Sequence, residues 1–473
     1  MPKKTTRRTF MKQIAAAGAL VPLSLESTMA AVSAASEETK LRHACIGVGG
    51  MGWADLRSLT SHPDVEIVAI CDVDQRQLDR VLGDEALKKR FPEFKAFRDW
   101  RTMFAEVGDA IESVNVSTPD HMHAPAAMTA LLAGKHVYCQ KPLCHDIFEC
   151  RAVAREAARR PKQVTQMGIQ IQSWREYRMA VKMIQSGLVG KIEEVHSWSN
   201  KGWVGRAGET ERRPDRTDPV PEYLDWELWL GCAPQRPYVE GLYHPGQWRR
   251  WIDFGTGTQG DMACHIVDPV FSALELEAPL SVCSECSPPF AETYSPKNKI
   301  VHVFPGNRYT AGKTLRFIWY DSGMLPDASL FALDEDGKIP GQGSLFVGEK
   351  GCVLLPHIGA PAPLPQARFA KELEAFQAQI ELPHVDHYHS FVDACLGRGS
   401  TTAHFGYSDW LTETVLMGAI ANRFPGEELL WDGAKLRFTN KPEANRFVRR
   451  TYRKGWEVDG LSRETHTRVR KPL

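Results

Sequence analysis

Three short stretches carry residue types at spacings suited to chemistry. The first runs His43-Ala-Cys-Ile into Gly47-Val-Gly49-Gly-Met51-Gly52. Glycines so spaced allow a tight turn, close backbone approach to a pyrophosphate, and close helix–strand packing. Free N–H groups at the start of the following helix then face the phosphates, with Met51 in the turn. Asp72 lies 20 residues past Gly52, at the end of the apolar run Val65–Cys71. A carboxylate there accepts from a ribose 2′-hydroxyl and repels a 2′-phosphate, so NAD is expected over NADP. Arg76, one helical turn on, is a cation able to soften that preference. The second stretch comprises Thr118-Pro119-Asp120-His121-Met122-His123 and Gln140-Lys141-Pro142. The third is Gly260-Asp261-Met-Ala-Cys-His265-Ile-Val-Asp268. Spacing i, i+4 puts Asp261 and His265 on one helical face, with Asp268 at i+7 on roughly the same face.

Positioning these groups requires alternating strands and helices. Helices are expected at Gln75–Arg90, Ala124–Ala133 and Ile147–Arg160, and strands at Ser113–Ser117 and Lys135–Cys139. This pattern predicts a doubly wound parallel sheet of the Rossmann type over 42–163. Ligands then sit beyond the carboxyl ends of the strands, where Thr118, Pro119, His121, His123 and Lys141 fall. A second, α+β domain with an open, mainly antiparallel sheet is expected over 164–440, and a tail over 441–473. A long loop, Gly202 to Pro221, reads as a lid or mobile segment. Trp226, Trp229, Trp248 and Trp251 flank it, and Trp248-Arg249-Arg250-Trp251 reads either as a sugar-binding wall with a cationic rim or as core packing. Trp248 is the preferred substrate contact.

The glycine turn, the Thr-Pro-Asp-His-x-His segment and Gln140-Lys141-Pro142 resemble the Gfo/Idh/MocA dehydrogenases over roughly residues 42 to 440. The family's commoner motif is Glu-Lys-Pro, and Gln140 departs from it. The resemblance implies that Lys141 lies beside the nicotinamide and the reacting hydroxyl, and that Asp261 and His265 face the substrate from one helix. It also implies a homo-oligomer, dimer or tetramer, formed through the second sheet. Cofactor contacts are thus expected from Gly47, Gly49, Met51, Gly52, Asp72, Thr118, Pro119, His121 and Lys141. Substrate contacts are expected from His123, Trp248, Asp261 and His265, and catalysis from Lys141, Asp261 and His265.

The chain opens with an address. Thr6-Arg7-Arg8-Thr9-Phe10-Met11-Lys12 precedes the apolar stretch Ile14–Leu25 and the small residues 29–35. A basic region, an apolar region and a small-residue cleavage site in that order mark an export signal over 1–35, of the twin-arginine kind. The apolar stretch is too short to span a bilayer, which takes ~20 residues. The expected location is periplasmic, with a cofactor inserted before export and held tightly.

Lys+Arg and Asp+Glu number 58 each, so no basic excess points to nucleic acid. Thirteen Trp residues hint at carbohydrate faces but equally suit cores. The 11 Cys show no disulfide framework, Cys283-Ser-Glu-Cys286 is a lone pair, and in the His384, His387, His389 group His387 and His389 cannot share a helical face, so no metal is expected, though His387 is a further candidate to lie near the substrate.

Three functions remain open. One is an oxidoreductase acting on a secondary hydroxyl of a sugar, polyol or glycoside, with His265 as base, Lys141 donating to the alcohol oxygen, and Asp261 orienting His265 or a neighbouring hydroxyl. Another is an NAD-using glycosidase or lyase, in which C3 oxidation acidifies the C2 proton and elimination expels the aglycone. That route needs a second base, for which His123 and His121 are the candidates. The third is a non-catalytic sugar-binding protein.

Overall fold

The structure, a computed structural model, describes residues 40–204, 212–333 and 337–462. The export signal read at 1–35 lies outside the described residues. So do part of the 202–221 loop and the last residues of the tail. The chain divides after Lys40, and Leu41 onward forms one compact unit. Among the described residues, no helix is long and apolar enough to cross a membrane.

The first sheet is parallel and six-stranded. Its strands are β1 (Leu41–Ile46), β2 (Val65–Cys71), β3 (Lys95–Phe97), β4 (Ser113–Val116), β5 (His136–Gln140) and β6 (Thr165–Gly168), in the order β3-β2-β1-β4-β5-β6. The order reverses beside β1, and there the glycine turn leads into helix α1 (Gly50–Thr60). β4 is buried on both faces, as a covered parallel strand must be. The helix expected over 75–90 breaks into α2 (Gln75–Gly83) and α3 (Glu85–Arg90). Asp84 accepts the Leu87 N–H and so caps the second piece. Helices α4 (His123–Leu132) and α5 (Ile147–Arg159) follow, the latter opened by a capping box between Asp146 and Glu149.

The parallel sheet runs past the boundary expected at 163, because β6 pairs with β5 from Val137–Thr165 to Gln140–Gly168. Residues 442–462 are likewise no free tail. The Arg450 Nε donates to Glu149 at 2.6 Å and its N–H to Asp146 at 3.0 Å, fastening this segment to the start of α5.

After α6 (Arg175–Gln185), the second sheet is built from β7 (Ile192–Ser199), β8 (Ser281–Ser284), β9 (Lys299–Pro305), β10 (Thr314–Tyr320), β11 (Gln342–Gly348), β12 (Gly351–Pro356), β13 (Ala362–Leu364), β14 (Leu429–Asp432) and β15 (Arg437–Phe438). The order is β13-β12-β11-β7-β10-β9-β8-β14-β15. β7 and β10 pair in parallel, whereas the other neighbours are antiparallel. Alternate residues split between faces. Val195, Phe317, Phe346 and Val353 join the main core. Trp198, Ile318, Leu345 and Leu354 pack with Phe331, which roofs part of the other face. Helices α7 (Gly257–Ile266), α8 (Asp268–Leu274), α9 (His387–Cys395) and α10 (Phe405–Ala421) complete the frame. α10 is buried nearly all round, its carboxylates Asp409 and Glu413 paired with Arg151 of α5.

Candidate active site

A cleft of about 670 Å³ opens beyond the carboxyl ends of β1, β2, β4 and β5. Gly47 turns the chain there at φ 82°, and a Cβ on it would sit 2.6 Å from the Ser117 carbonyl oxygen. Gly52 packs so closely that a Cβ would overlap the Gly47 carbonyl. Only glycine satisfies either position. Gly49 and the half-exposed Met51 border the same cleft.

Asp72 stands at the end of β2. Its Oδ2 accepts the Val48 N–H and its Oδ1 the Asp74 N–H, both at 2.9 Å. Burial pushes its carboxyl up despite these donors. Thr118 and Pro119 follow β4 and border the cleft, where the buried Thr118 Oγ1 lacks a hydrogen-bond partner among the described residues. A glycine cradle, a terminal strand carboxylate and an unpaired hydroxyl fit a dinucleotide.

At the other end of the cleft, Lys141 leaves β5 and meets α7. Its Nζ donates to Asp261 Oδ1 and to the Asp261 carbonyl, both at 2.8 Å. An ammonium carries three N–H donors, so one remains. Asp261 also accepts the Trp203 indole N–H at 2.8 Å. Arg249 Nε lies 3.4 Å from Asp261, and Lys201 Nζ lies 3.9 Å from it. Burial alone would raise the Asp261 carboxyl, but Lys141 and Arg249 hold it well below the usual carboxylate range. Arg249 also bonds Asp120 at 3.2 Å, and Asp120 accepts the Thr256 hydroxyl at 2.6 Å. Lys141, Arg249 and Lys201 thus face two carboxylates, leaving this end suited to a developing negative charge.

His265 borders the cleft one turn along α7 from Asp261. Its Nδ1 is buried and has no partner among the described residues. Burial, then Lys141 and His357, push its pKa well below the ordinary histidine value, so the ring is neutral. The expected link between Asp261 and His265 is replaced, since the Asp261 carboxylate is committed to Lys141, Trp203 and Arg249.

Several expected contacts fall elsewhere. His121 is fully buried, with Nε2 3.1 Å from the Trp229 carbonyl and its ring against Trp229 and Phe254. Burial lowers its pKa to about 3. It packs the core behind the site rather than facing a cofactor. His123 borders the cleft, but its Nδ1 meets the Pro142 carbonyl at 2.7 Å and its Nε2 the Thr118 carbonyl at 2.9 Å. A neutral ring has one N–H, so it donates to one of these carbonyls while the other carbonyl shuts in the second nitrogen, and neither nitrogen is open to substrate. Asp268 opens α8 and accepts from Tyr407 and Gln172 at 2.6 and 2.9 Å, away from the cleft. His387 is buried against Ser173 and the Met167 carbonyl.

The tryptophans divide. Trp226 and Trp251 belong to a packed aromatic cluster, Trp229 belongs to it and also borders the cleft, and Trp248 borders the cleft with Arg249 4.4 Å from its ring. Trp203 and Lys201 were not foreseen. They come from an irregular segment with no period to betray them.

Comparison with known proteins agrees with this geometry. Residues 41–167 match the Gfo/Idh/MocA oxidoreductase family, NAD-binding Rossmann fold. Residues 175–305 match the oxidoreductase family's C-terminal alpha/beta domain. Among curated relatives, an alpha-N-acetylgalactosaminidase of Shewanella oneidensis is 30% identical over 149 residues, 31% of this chain and 32% of that protein. An inositol 2-dehydrogenase of Salmonella paratyphi B is 28% identical over 157 residues, 33% of this chain and 45% of that protein. The matched part thus spans less than half of either relative. Two solved structures share the fold. The WlbA dehydrogenase of Bordetella pertussis, in complex with NADH and UDP-GlcNAcA, has TM-score 0.56 at 15% identity, covering 83% of this chain and 99% of that one. The myo-inositol dehydrogenase of Lactobacillus casei, in complex with NAD(H) and myo-inositol, has TM-score 0.52 at 14% identity, covering 86% and 99%. The chain belongs to the Gfo/Idh/MocA oxidoreductase family, and its residues 41–167 form that family's NAD-binding Rossmann fold.

Proposed function

We propose that this protein is an NAD-dependent oxidoreductase acting on a secondary hydroxyl of a sugar, polyol or glycoside, with the cofactor held tightly. The carrying observation is that Lys141, Asp261 and His265 meet in the same cleft as the glycine cradle and Asp72. When bound, NAD supplies the hydride acceptor.

The chain's own residues supply the rest. Gly47, Gly49, Met51, Thr118 and Pro119 wall the dinucleotide end, and Asp72 selects the ribose. The remaining Lys141 N–H donates to the substrate oxygen and stabilises charge on it. Asp261 holds Lys141 in place through its carboxylate and its carbonyl together. His265, neutral and bordering the cleft, receives the hydroxyl proton. Trp248 offers an aromatic face to the sugar ring.

The leader at 1–35 fits the same proposal. Export by the twin-arginine route would carry the protein, cofactor already inserted, to the periplasm. Second-sheet contacts would form the homo-oligomer.

A second reading draws on the resemblance to the alpha-N-acetylgalactosaminidase: transient oxidation followed by elimination of an aglycone. It needs a second proton acceptor near the substrate. His121 and His123, with their burial and main-chain bonds, do not provide one.

The test denatures the purified protein and identifies the released nucleotide by mass spectrometry. Sugars, polyols and aryl glycosides are then offered in turn. Reduction of the nicotinamide by a free sugar or polyol supports the oxidoreductase. Aglycone release without net nicotinamide change supports the glycosidase. Carbohydrate binding without either leaves a binding protein.

A further inference from the structure

Arg76 follows Asp72 by four residues, in the first turn of α2, and Arg98 borders the ribose end of the cleft. Two such cations would ordinarily invite a 2′-phosphate. Both are occupied, by the loop after β2 and by Tyr223.

Arg76 donates through Nε and Nη2 to the buried carboxylate of Asp74, at 3.0 and 2.7 Å. Its guanidinium lies 3.5 Å from the centre of the Tyr223 ring. Arg98 Nη2 donates to the carbonyls of Val73 and Tyr223, at 2.7 and 3.0 Å. The Tyr223 segment is stitched to the loop after β2. Its carbonyl accepts the Gln75 N–H at 2.7 Å, and the Asp225 N–H donates to Val73 at 3.0 Å. His244, from farther along the same strap, places Nε2 2.7 Å from Asp74 Oδ2.

We propose that Asp74 and Tyr223 act as a selectivity lock, withdrawing Arg76 and Arg98 from the ribose 2′ position so that the cleft takes NAD and refuses NADP. The proposal rests on the reading of the cleft as a nicotinamide dinucleotide site. Asp72 supplies the repulsion and the lock removes the attraction. Turning Arg76 toward a 2′-phosphate would leave Asp74 buried without its strongest partner and would break the stack on Tyr223. Replacing Asp72 alone therefore does not convert the site. Asn at 74 keeps one side-chain oxygen for the helix cap and turns its amide N–H toward His244 Nε2, which can accept it, but releases the charge that holds Arg76.

The experiment compares full-length wild type, D72S, D72S/D74N, D72S/Y223A and D72S/D74N/R76A. Each is unfolded, stripped of resident nucleotide, refolded with equal NAD and NADP and freed of unbound nucleotide, and its bound nucleotide is identified by mass spectrometry. A thermal melt with each nucleotide accompanies it. Wild type is expected to carry NAD, and D72S to gain little NADP. D72S/D74N should raise the NADP:NAD ratio about tenfold or more over D72S, the worth of a freed charge-assisted contact. D72S/Y223A, which alters no charge, should raise it less, and R76A should abolish the gain. The lock is refuted if D72S alone takes NADP as well as D72S/D74N does, or if R76A leaves the ratio unchanged. Binding of neither nucleotide by any protein, wild type included, refutes the dinucleotide site itself. Failure to oxidise a sugar leaves the ratio unaffected and counts only against the proposed reaction.

Discussion

The Gln140 side-chain amide donates to both carboxylate oxygens of Asp55, at 2.9 Å each. Asp55, on α1, also accepts from Ser117 at 2.6 Å and from Tyr388 at 2.8 Å. This buried carboxylate therefore joins the glycine-turn helix to the strand that carries Lys141. The arrangement explains why glutamine stands beside Lys141 where relatives commonly carry glutamate. Glutamate at 140 would set one carboxylate against another in a dry site, where both cannot ionise.

Burial raises the Asp55 carboxyl to about 6 despite its donors. A carboxyl raised on folding binds its proton more tightly in the folded state. Stability is thus present below the unfolded value and is lost as pH rises through about 6. D55N should flatten that loss, which amounts to about 3 kcal/mol, in denaturant titrations from pH 4 to 7. Q140E should cost about 3 kcal/mol at pH 8 and less at pH 5, where one proton can be shared. Equal stability of Q140E at the two pH values would disprove the pairing.

Lys141→Met should abolish turnover while nucleotide stays bound. It should also lower stability by about 3 kcal/mol, because the buried Asp261 loses its closest cation. The double variant K141M/D261N should recover stability but not turnover. Recovery of neither would assign the lysine another role.

Gly52→Ala should remove nucleotide binding, since the added methyl overlaps the Gly47 carbonyl. The readout is the NAD-induced rise in melting temperature. A full rise in the variant would mean that the turn yields.

His123→Ala should destabilise the fold by about 1–3 kcal/mol through the carbonyl its N–H leaves orphaned, and leave KM for the carbohydrate nearly unchanged. A large KM increase in a well-folded variant would return His123 to the substrate.

The parts of the molecule legible in the sequence are those that local sterics dictate. Gly47 and Gly52 stand where no side chain fits, and the apolar runs of β1, β2 and β4 announce a covered parallel sheet. Lys141 and Asp261, 120 positions apart, are brought to one site by family resemblance, but their ion pair is not legible, because a tertiary contact leaves no local period. His121 and His123 lie at the correct end of the sheet yet turn their nitrogens to main chain, which only packing decides. Asp268 continues the Asp261–His265 face by spacing alone, but the helix ends at Ile266. Pro269 at the first turn of the next helix was the available signal. Lys201 had none, and Trp203 had only its place in the loop expected to act as a lid.

The central claim is that His265 takes the hydroxyl proton beside Lys141. The most direct test is single-turnover reduction of the bound nicotinamide by the carbohydrate that reacts best, in wild type and in His265→Ala. A drop of ~10² or more with nucleotide still bound is the expected result. An unchanged single-turnover rate would contradict it and would move the base elsewhere in the cleft.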